Sequence, residues 1–546
     1  MPRYEGGNLL VEALAQKGVT RLFSVSGGPI NSVYVAARAA GVQLCHVRHE
    51  TAAAFMADAT ARVTGVPGVA VVTLGPGVTN TVTGAATAQL AGVPMLIVGG
   101  QAPLHAQHKG AGMSMETVPI MERVTNWAAQ VVDTARIPEY VEAAWRHMFT
   151  GRPGPVYLEI PVDVLSAETD RPPDAPGERL RHPAGVVPAA MEQLEELLTA
   201  ARRPVLIAGD DVRWSDAGAL LRSFVDAQRI PFAQARLARG AVPEQDHPLF
   251  MGPGYLPNNA VLRHAVGTAD LVILLGHFFD FDLGFGEGLS PDTTVVQVHP
   301  DPTVLGRNVV PHLGIASSSA ALLERALDIQ PAARDEEWVG TLPREWREQR
   351  ATLSTKGADH SDGIHPLALV DAVVDAMPSE TTYVTSHGNI DFWADAHIEV
   401  DDPSRYLRAG QAGALGAEIP YGVAAKLARP DDPVVVFVGD GGVGYHVMEL
   451  ETAARYGAPV IVVVADDRKW GAIAIPQRQA YGMEVEMDLP PRDWARLATA
   501  IGGHGETVDD LAEIPSALER AVKSKLPAIV HVRVASVLSP YMASIS

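Results

Sequence analysis

The chain of 546 residues contains a single cysteine, Cys45. That excludes an intrachain disulfide and any metal site built on several thiolates. Cys45 lies in the apolar run VQLCHV and reads as buried filler. Basic residues are scarce: 43 Lys and Arg stand against 64 Asp and Glu, a formal net charge of −21. Without a broad basic footprint, no nucleic-acid partner is expected. No uninterrupted apolar run approaches the length of a membrane span. The opening MPRYEGGNLLVEALAQKGV enters an amphipathic helix directly and lacks the charged-then-apolar order of a signal peptide. The expectation is a soluble, cytoplasmic protein with no membrane partner.

What is present is an α/β alternation. Hydrophobic residues make up 47% and charged residues 20%, enough to bury large cores. Three blocks of strands and helices occupy residues 1–165, 189–330 and 363–546. Between them lie a proline-rich stretch, 165–188, and a charged stretch, 332–362, which reads as a helical linker. Repeated strand–helix alternation predicts three doubly wound parallel-sheet domains, with ligands at the carboxyl ends of strands.

The most informative segment is VVVFVGDGGVGYHVMELETAARYGAPVIVVVADDRKWG, beginning at Val434. Residues 434–438 read as a buried strand and 460–464 as the next. Gly439-Asp440-Gly441-Gly442 forms the turn between strand and helix, and such turns aim backbone N–H groups at phosphate. Met448, Leu450, Ala453 and Ala454 recur at helical spacing, and Gly457 stops the helix. Two readings compete. Gly439, Gly441 and Gly444 spell GxGxxG with Asp466 ending the second strand, a dinucleotide pattern. Alternatively Asp440 and Asp467, each after a neighbouring parallel strand, hold a divalent metal together with a loop carbonyl and diphosphate oxygens. Locally the two readings are balanced.

Two further segments bear on this. HVRHETAAAF places Glu50 at a helix start, where alone it reads as a dipole partner. TLGPGVTN places Pro76 and Asn80 in a rigid turn opening another helix. Taken in order, RHE, GPGVTN, LGHFFDF, VQVHPDPTVLGRN, AGALGAEIPYG and GDGGVGYHVMELE resemble the thiamine diphosphate (ThDP)-dependent enzymes of the acetolactate synthase, benzaldehyde lyase and 2-hydroxyacyl-CoA lyase group. The resemblance spans nearly the whole chain. It implies pyrimidine-binding, central and diphosphate-binding domains, in that order. It implies ThDP and Mg²⁺ as cofactors, with Glu50 catalytic against the aminopyrimidine. Pro76, Asn80, His387, Gly388, Asn389, Gly413, Leu415, Gly439, Asp440, Gly441 and Gly442 would contact the cofactor, and Asp440, Asp467 and Lys469 the metal. The implied partners are small-molecule carbonyl substrates and further copies of the chain, a homodimer at minimum and a homotetramer by analogy. The implied activity is carbon–carbon lyase or carboligase chemistry on 2-oxoacids or 2-hydroxyketones. The alternatives are a 2-hydroxyacyl-CoA lyase or oxalyl-CoA decarboxylase and, outside the class, a NAD-dependent dehydrogenase or a non-catalytic homologue.

The chain also departs from the family pattern. Asp466-Asp467 stands where two asparagines are usual, and Gly442 where a serine often follows GDG. Pro29 occupies a position that is histidine in benzaldehyde lyase-like members, and Gln107 falls too early to match the family's loop glutamine. Candidates near the reacting carbon are His105, His108, His387, Asn389, Trp393, Tyr445, His446 and Trp470. The central domain resembles one that holds FAD or an adenine nucleotide in relatives, but no basic cluster supports such a ligand here. Arg236, Arg239 and Arg307 are the few candidates and read as solvated surface charge.

Overall fold

A computed structural model describes residues 4–170, 185–357 and 363–539. Most of the expected 165–188 linker and the end of the 332–362 stretch lie outside the described residues. Each block forms a six-stranded sheet whose paired strands are all parallel. Numbered in chain order within each block, the first and third sheets share the order 2-1-3-4-6-5, and the central sheet runs 3-2-1-4-5-6. The central order is that of dinucleotide-binding folds. Strands such as Gly68–Val72 and Leu271–Leu275 are buried throughout, because helices cover both faces of the sheet.

Two local expectations change. The helix expected around Met448 is divided into Asp440–His446 and Glu449–Arg455. Met448 is exposed between them, whereas Leu450 and Ala453 are buried. The first segment holds three glycines, too weak a helix former to impose its register on the second. The charged stretch expected as a helical linker does form a helix, Glu336–Gly357, but its Val339, Leu342 and Trp346 join the central core. Those three sit at helical spacing, which masks them in a charged background. Cys45 is buried, and burial pushes its thiol up to about 12.

The first and third domains share one core. Helix Glu50–Thr64 of the first packs on helix Glu418–Ala428 of the third. Asp58 is fully buried between them, bound by Arg62 at 2.5 Å and by the Tyr421 hydroxyl at 2.6 Å. Arg62 also donates to the Arg408 carbonyl at 2.6 Å. No helix among the described residues is long and apolar enough to cross a membrane.

Candidate active site

Strand Val434–Gly439 ends at a cavity of about 250 Å³, and every residue lining it comes from the third domain. Asp440 opens the following helix, and Asp467 follows the neighbouring strand Ile461–Asp466. Both line the cavity. Burial, then the charges of Asp467 and Asp466, push the Asp440 carboxyl up to about 8. Burial likewise pushes Asp467 up to about 6, against hydrogen bonds from the Ser536 hydroxyl at 3.1 Å and the Lys469 N–H at 3.2 Å. Asp466 behaves differently. Burial opposes its charge, but His531 at 2.8 Å and the Arg468 N–H at 3.0 Å hold it below the ordinary carboxylate range. Asp466 is thus consumed internally, and the dinucleotide reading loses its ribose acceptor.

The remaining donors fit a magnesium-bound diphosphate. Asp440 and Asp467 have no cationic partner among the described residues, and carboxylates so placed gain most from a divalent ion. Two carboxylates with carbonyl, water and phosphate oxygens suffice for magnesium. Among the described residues no group of three or more His, Cys, Asp or Glu side chains forms a metal site. The Lys469 ammonium is bound to Glu484 at 2.5 Å and Asp488 at 3.1 Å, which leaves its backbone carbonyl as the atom on offer. A Cβ on Gly441 would fall 2.5 Å from the Trp470 ring, so only glycine keeps that turn in place.

The opposite wall holds His387, Gly388, Asn389, Gly413 and Leu415. Gly413 is left-handed at φ +60. Burial, then the Arg408 charge, drops His387 to about 3, so its ring is neutral, and its Nδ1 has no partner among the described residues. The Asn389 amide donates to the Val537 carbonyl at 2.7 Å and accepts from the Ser539 N–H at 2.8 Å, fixing the segment beyond the last strand. Two acids escaped the sequence reading. Asp391 accepts from the Ser386 and Gly388 N–H groups at 2.8 and 2.6 Å, and burial pushes it up to about 6. Burial, then the Asp391 charge, pushes Glu418 up to about 8. A glutamate inside the apolar run GAEIPYG was the available signal.

Glu50 stands elsewhere. It begins helix Glu50–Thr64, is half-buried, and accepts from the Asn80 amide at 2.9 Å. Pro76 begins the short helix Pro76–Thr79. The preceding Gly75 has φ +59, and a Cβ there would lie 2.1 Å from the Met113 carbonyl oxygen, so the loop after the fourth strand closes over this turn. Of the remaining candidates, His105, His108 and Tyr445 are exposed and Trp393 is buried. His446 contacts the Gly416 carbonyl at 2.8 Å, and Trp470 backs Gly441.

The central domain overturns one expectation. Arg236 and Arg239 are buried rather than solvated. Arg236 binds Asp280 and, at 2.8 Å, Asp282; Arg239 binds Glu244 at 2.6 Å. Arg307 is exposed, its guanidinium 5.3 Å from the Phe278 ring. In a dinucleotide fold the turn after the first strand is glycine-rich, so that backbone can approach the diphosphate. Here it reads Gly209-Asp210-Asp211, and both acids are buried. Arg152 of the first domain reaches Asp210 at 3.2 Å, and a Cβ on Gly209 would meet His277 at 2.5 Å. This crevice is filled by its own side chains and does not fit a nucleoside diphosphate.

Residues 4–122 match the N-terminal TPP-binding domain of thiamine pyrophosphate enzymes, 191–326 their central domain, and 386–532 their C-terminal TPP-binding domain. An acetolactate synthase large subunit of Mycobacterium tuberculosis is 32% identical over 547 residues, covering 96% of this chain and 95% of its own. A 2-hydroxyacyl-CoA lyase 2 of Caenorhabditis elegans is 30% identical, covering 92% and 84% respectively. A catabolic acetolactate synthase of Raoultella terrigena is 28% identical, covering 98% and 96%.

Proposed function

Because this chain belongs to the thiamine diphosphate-dependent enzymes of the acetolactate synthase and 2-hydroxyacyl-CoA lyase group, we propose that it is a magnesium-dependent carbon–carbon lyase or carboligase acting on 2-oxoacids or 2-hydroxyketones. The observation that carries this is the pair Asp440 and Asp467, facing a glycine-lined cavity whose one lysine, Lys469, is paired with Glu484 and Asp488 instead. Asp440, Asp467 and the Lys469 carbonyl would hold the metal. The backbone of Gly439, Gly441 and Gly442 would take the diphosphate, with His387, Gly388 and Asn389 on the opposite wall. Gly413 and Leu415 would position the rings between the two ends, as the family resemblance implies. Bound thiamine diphosphate supplies an electron sink for the carbon–carbon bond being made or broken.

Glu50 would hold and move a proton at the aminopyrimidine ring nitrogen, oriented by Asn80; Pro76 would shape that half of the site. Since Glu50 does not line the cavity of its own chain, the pyrimidine half would come from a second copy. The working unit is then a homodimer at least, and a homotetramer by analogy. Relatives named 2-hydroxyacyl-CoA lyase raise a CoA-linked alternative, but the closed Asp210 crevice speaks for substrates without a nucleotide handle. The test is Glu50→Gln. It should keep fold and ThDP binding yet slow hydrogen–deuterium exchange at the cofactor's C2 by roughly 10²–10⁴-fold, the scale of a positioned proton-transfer group. An unchanged exchange rate removes Glu50 from catalysis.

A further inference from the structure

A second cavity, of about 400 Å³, lies where the first, central and third domains meet and shares His387, Gly413, Ala472 and Ile473 with the first cavity. Tyr255, Phe281 and Phe392 give it an aromatic wall, into which four arginines are also set. Three of these have close carboxylate partners: Arg62 with Asp58 at 2.5 Å, Arg236 with Asp282 at 2.8 Å, and Arg239 with Glu244 at 2.6 Å. Arg408 differs. Its side chain meets the Ser386 carbonyl at 3.4 Å and Asp395 at 3.5 Å. Strong guanidinium–carboxylate bonds are shorter, roughly 2.7–2.9 Å. Asp395 is already engaged by the Tyr406 hydroxyl at 2.6 Å. The Arg408 guanidinium lies 5.5 Å from both the Tyr255 and the Phe392 ring centroids. Those two rings stack on each other, 6.4 Å between centroids, so both stand to one side of the guanidinium and neither is an acceptor for its N–H groups, which suit a planar anion.

We propose that this cavity receives the substrate and that Arg408 binds a carboxylate which the reaction retains. The proposal rests on reading the adjoining cavity as the cofactor site. The retained carboxylate follows from the energetics: a guanidinium stabilises the charge of a ground-state carboxylate, and a group departing as carbon dioxide disperses that charge. Pairing the departing group would therefore raise its barrier. The volume is that of a small-molecule site, and the neighbouring crevice is closed to a nucleoside diphosphate. The ligand class is a small carbonyl compound with an apolar body. Its anchored carboxylate belongs either to a dicarboxylic donor or to a monocarboxylic acceptor.

Calorimetry on the full chain, with and without ThDP and magnesium, tests this with three unreactive probes: glutarate, butanoate and neutral glutaramide. Glutarate should bind and glutaramide should not. Arg408→Gln should weaken glutarate by roughly ten- to a hundred-fold, and Arg408→Lys by less, since a charge-assisted bond is lost in the first and only its fork geometry in the second. Glutarate binding much tighter than butanoate points to a dicarboxylic donor; similar affinities point to a monocarboxylic acceptor. Equal binding of glutarate and glutaramide to the unaltered protein, or an unchanged affinity in a folded Arg408→Gln, overturns the proposal. Arg408-dependent glutarate binding in a protein that takes up no ThDP would leave the carboxylate site standing and remove the cofactor reading instead.

Discussion

Two strands of this chain run into the same Gly-Asp dipeptide. VLIAGDD closes the first strand of the central domain and VVFVGDG the third strand of the last. Both strands lie inside their sheets, and in both the aspartate begins a short helix, Asp210–Trp214 or Asp440–His446. Beyond that the two sites diverge. Burial opposes the charge on Asp210, but Arg236 and Arg152 outweigh it and hold the carboxyl below its usual range. Asp440 has Asp467 and Asp466 for neighbours, and its carboxyl is pushed up to about 8. Asp211 and Val212 close the first turn, where Gly441 and Gly442 leave the second open. A glycine–aspartate turn therefore carries no chemistry by itself. The charges delivered to it by distant strands decide whether it becomes a structural lock or, on the proposed reading, a cation site.

The comparison is broken most directly at its cation side. Asp440→Ala should weaken ThDP binding in magnesium by more than about a hundred-fold, since even outer-shell partners of a metal are worth 10–100-fold. Calorimetric titration reads it, and equal ThDP affinity with and without magnesium in the unaltered protein would mean that Asp440 is no ligand. On the other side, Asp210→Asn should cost about 3–5 kcal/mol of stability, the range for stranding one partner of a buried ion pair. Surviving folded protein should keep its ThDP affinity, so a large loss of affinity with unchanged melting would reverse the two roles.

The finest distinction is the sign of the pH dependence. A carboxyl raised in the folded state binds more protons folded than unfolded. The metal-free protein should thus lose stability through Asp440 as pH rises from about 4 towards 8. Asp210, depressed in the folded state, contributes stability above the ordinary carboxylate range and loses it as pH falls. Melting curves without metal should show Asp440→Asn removing the fall in stability between about pH 4 and 8, and Asp210→Asn removing the loss at acid pH. Identical profiles for both variants would contradict the contrast.

Much of this was legible in the chain, because local rules govern it. Residues 434–438 and 460–464 announce buried strands by β-branching, and the Asp440 and Asp467 positions follow from where those strands end. What was hidden is set over distance. Nothing local distinguishes Asp466 from Asp467; His531, 65 residues on, claims the first and leaves the second to the cavity. Arg236 and Arg239 look like surface charge until Asp280, Asp282 and Glu244 fold around them. The two strand orders were equally unreadable, since alternating strands and helices are compatible with either.

Helix Glu50–Thr64 has its own consequence. With 15 residues it is a rod of roughly 22 Å. One end presents Glu50, and near the other Arg62 and Asp58 are riveted to Tyr421 of the third domain. The rod cannot swing Glu50 across to the cavity of its own chain without tearing out that rivet. On the proposed reading, each chain then completes its neighbour's site and depends on the neighbour for its own. A defect at Glu50 silences the other copy's cavity, and a defect at Asp440 silences its own. A chain carrying the first defect, paired with a chain carrying the second, would still assemble one sound site: two dead alleles could together support a living enzyme.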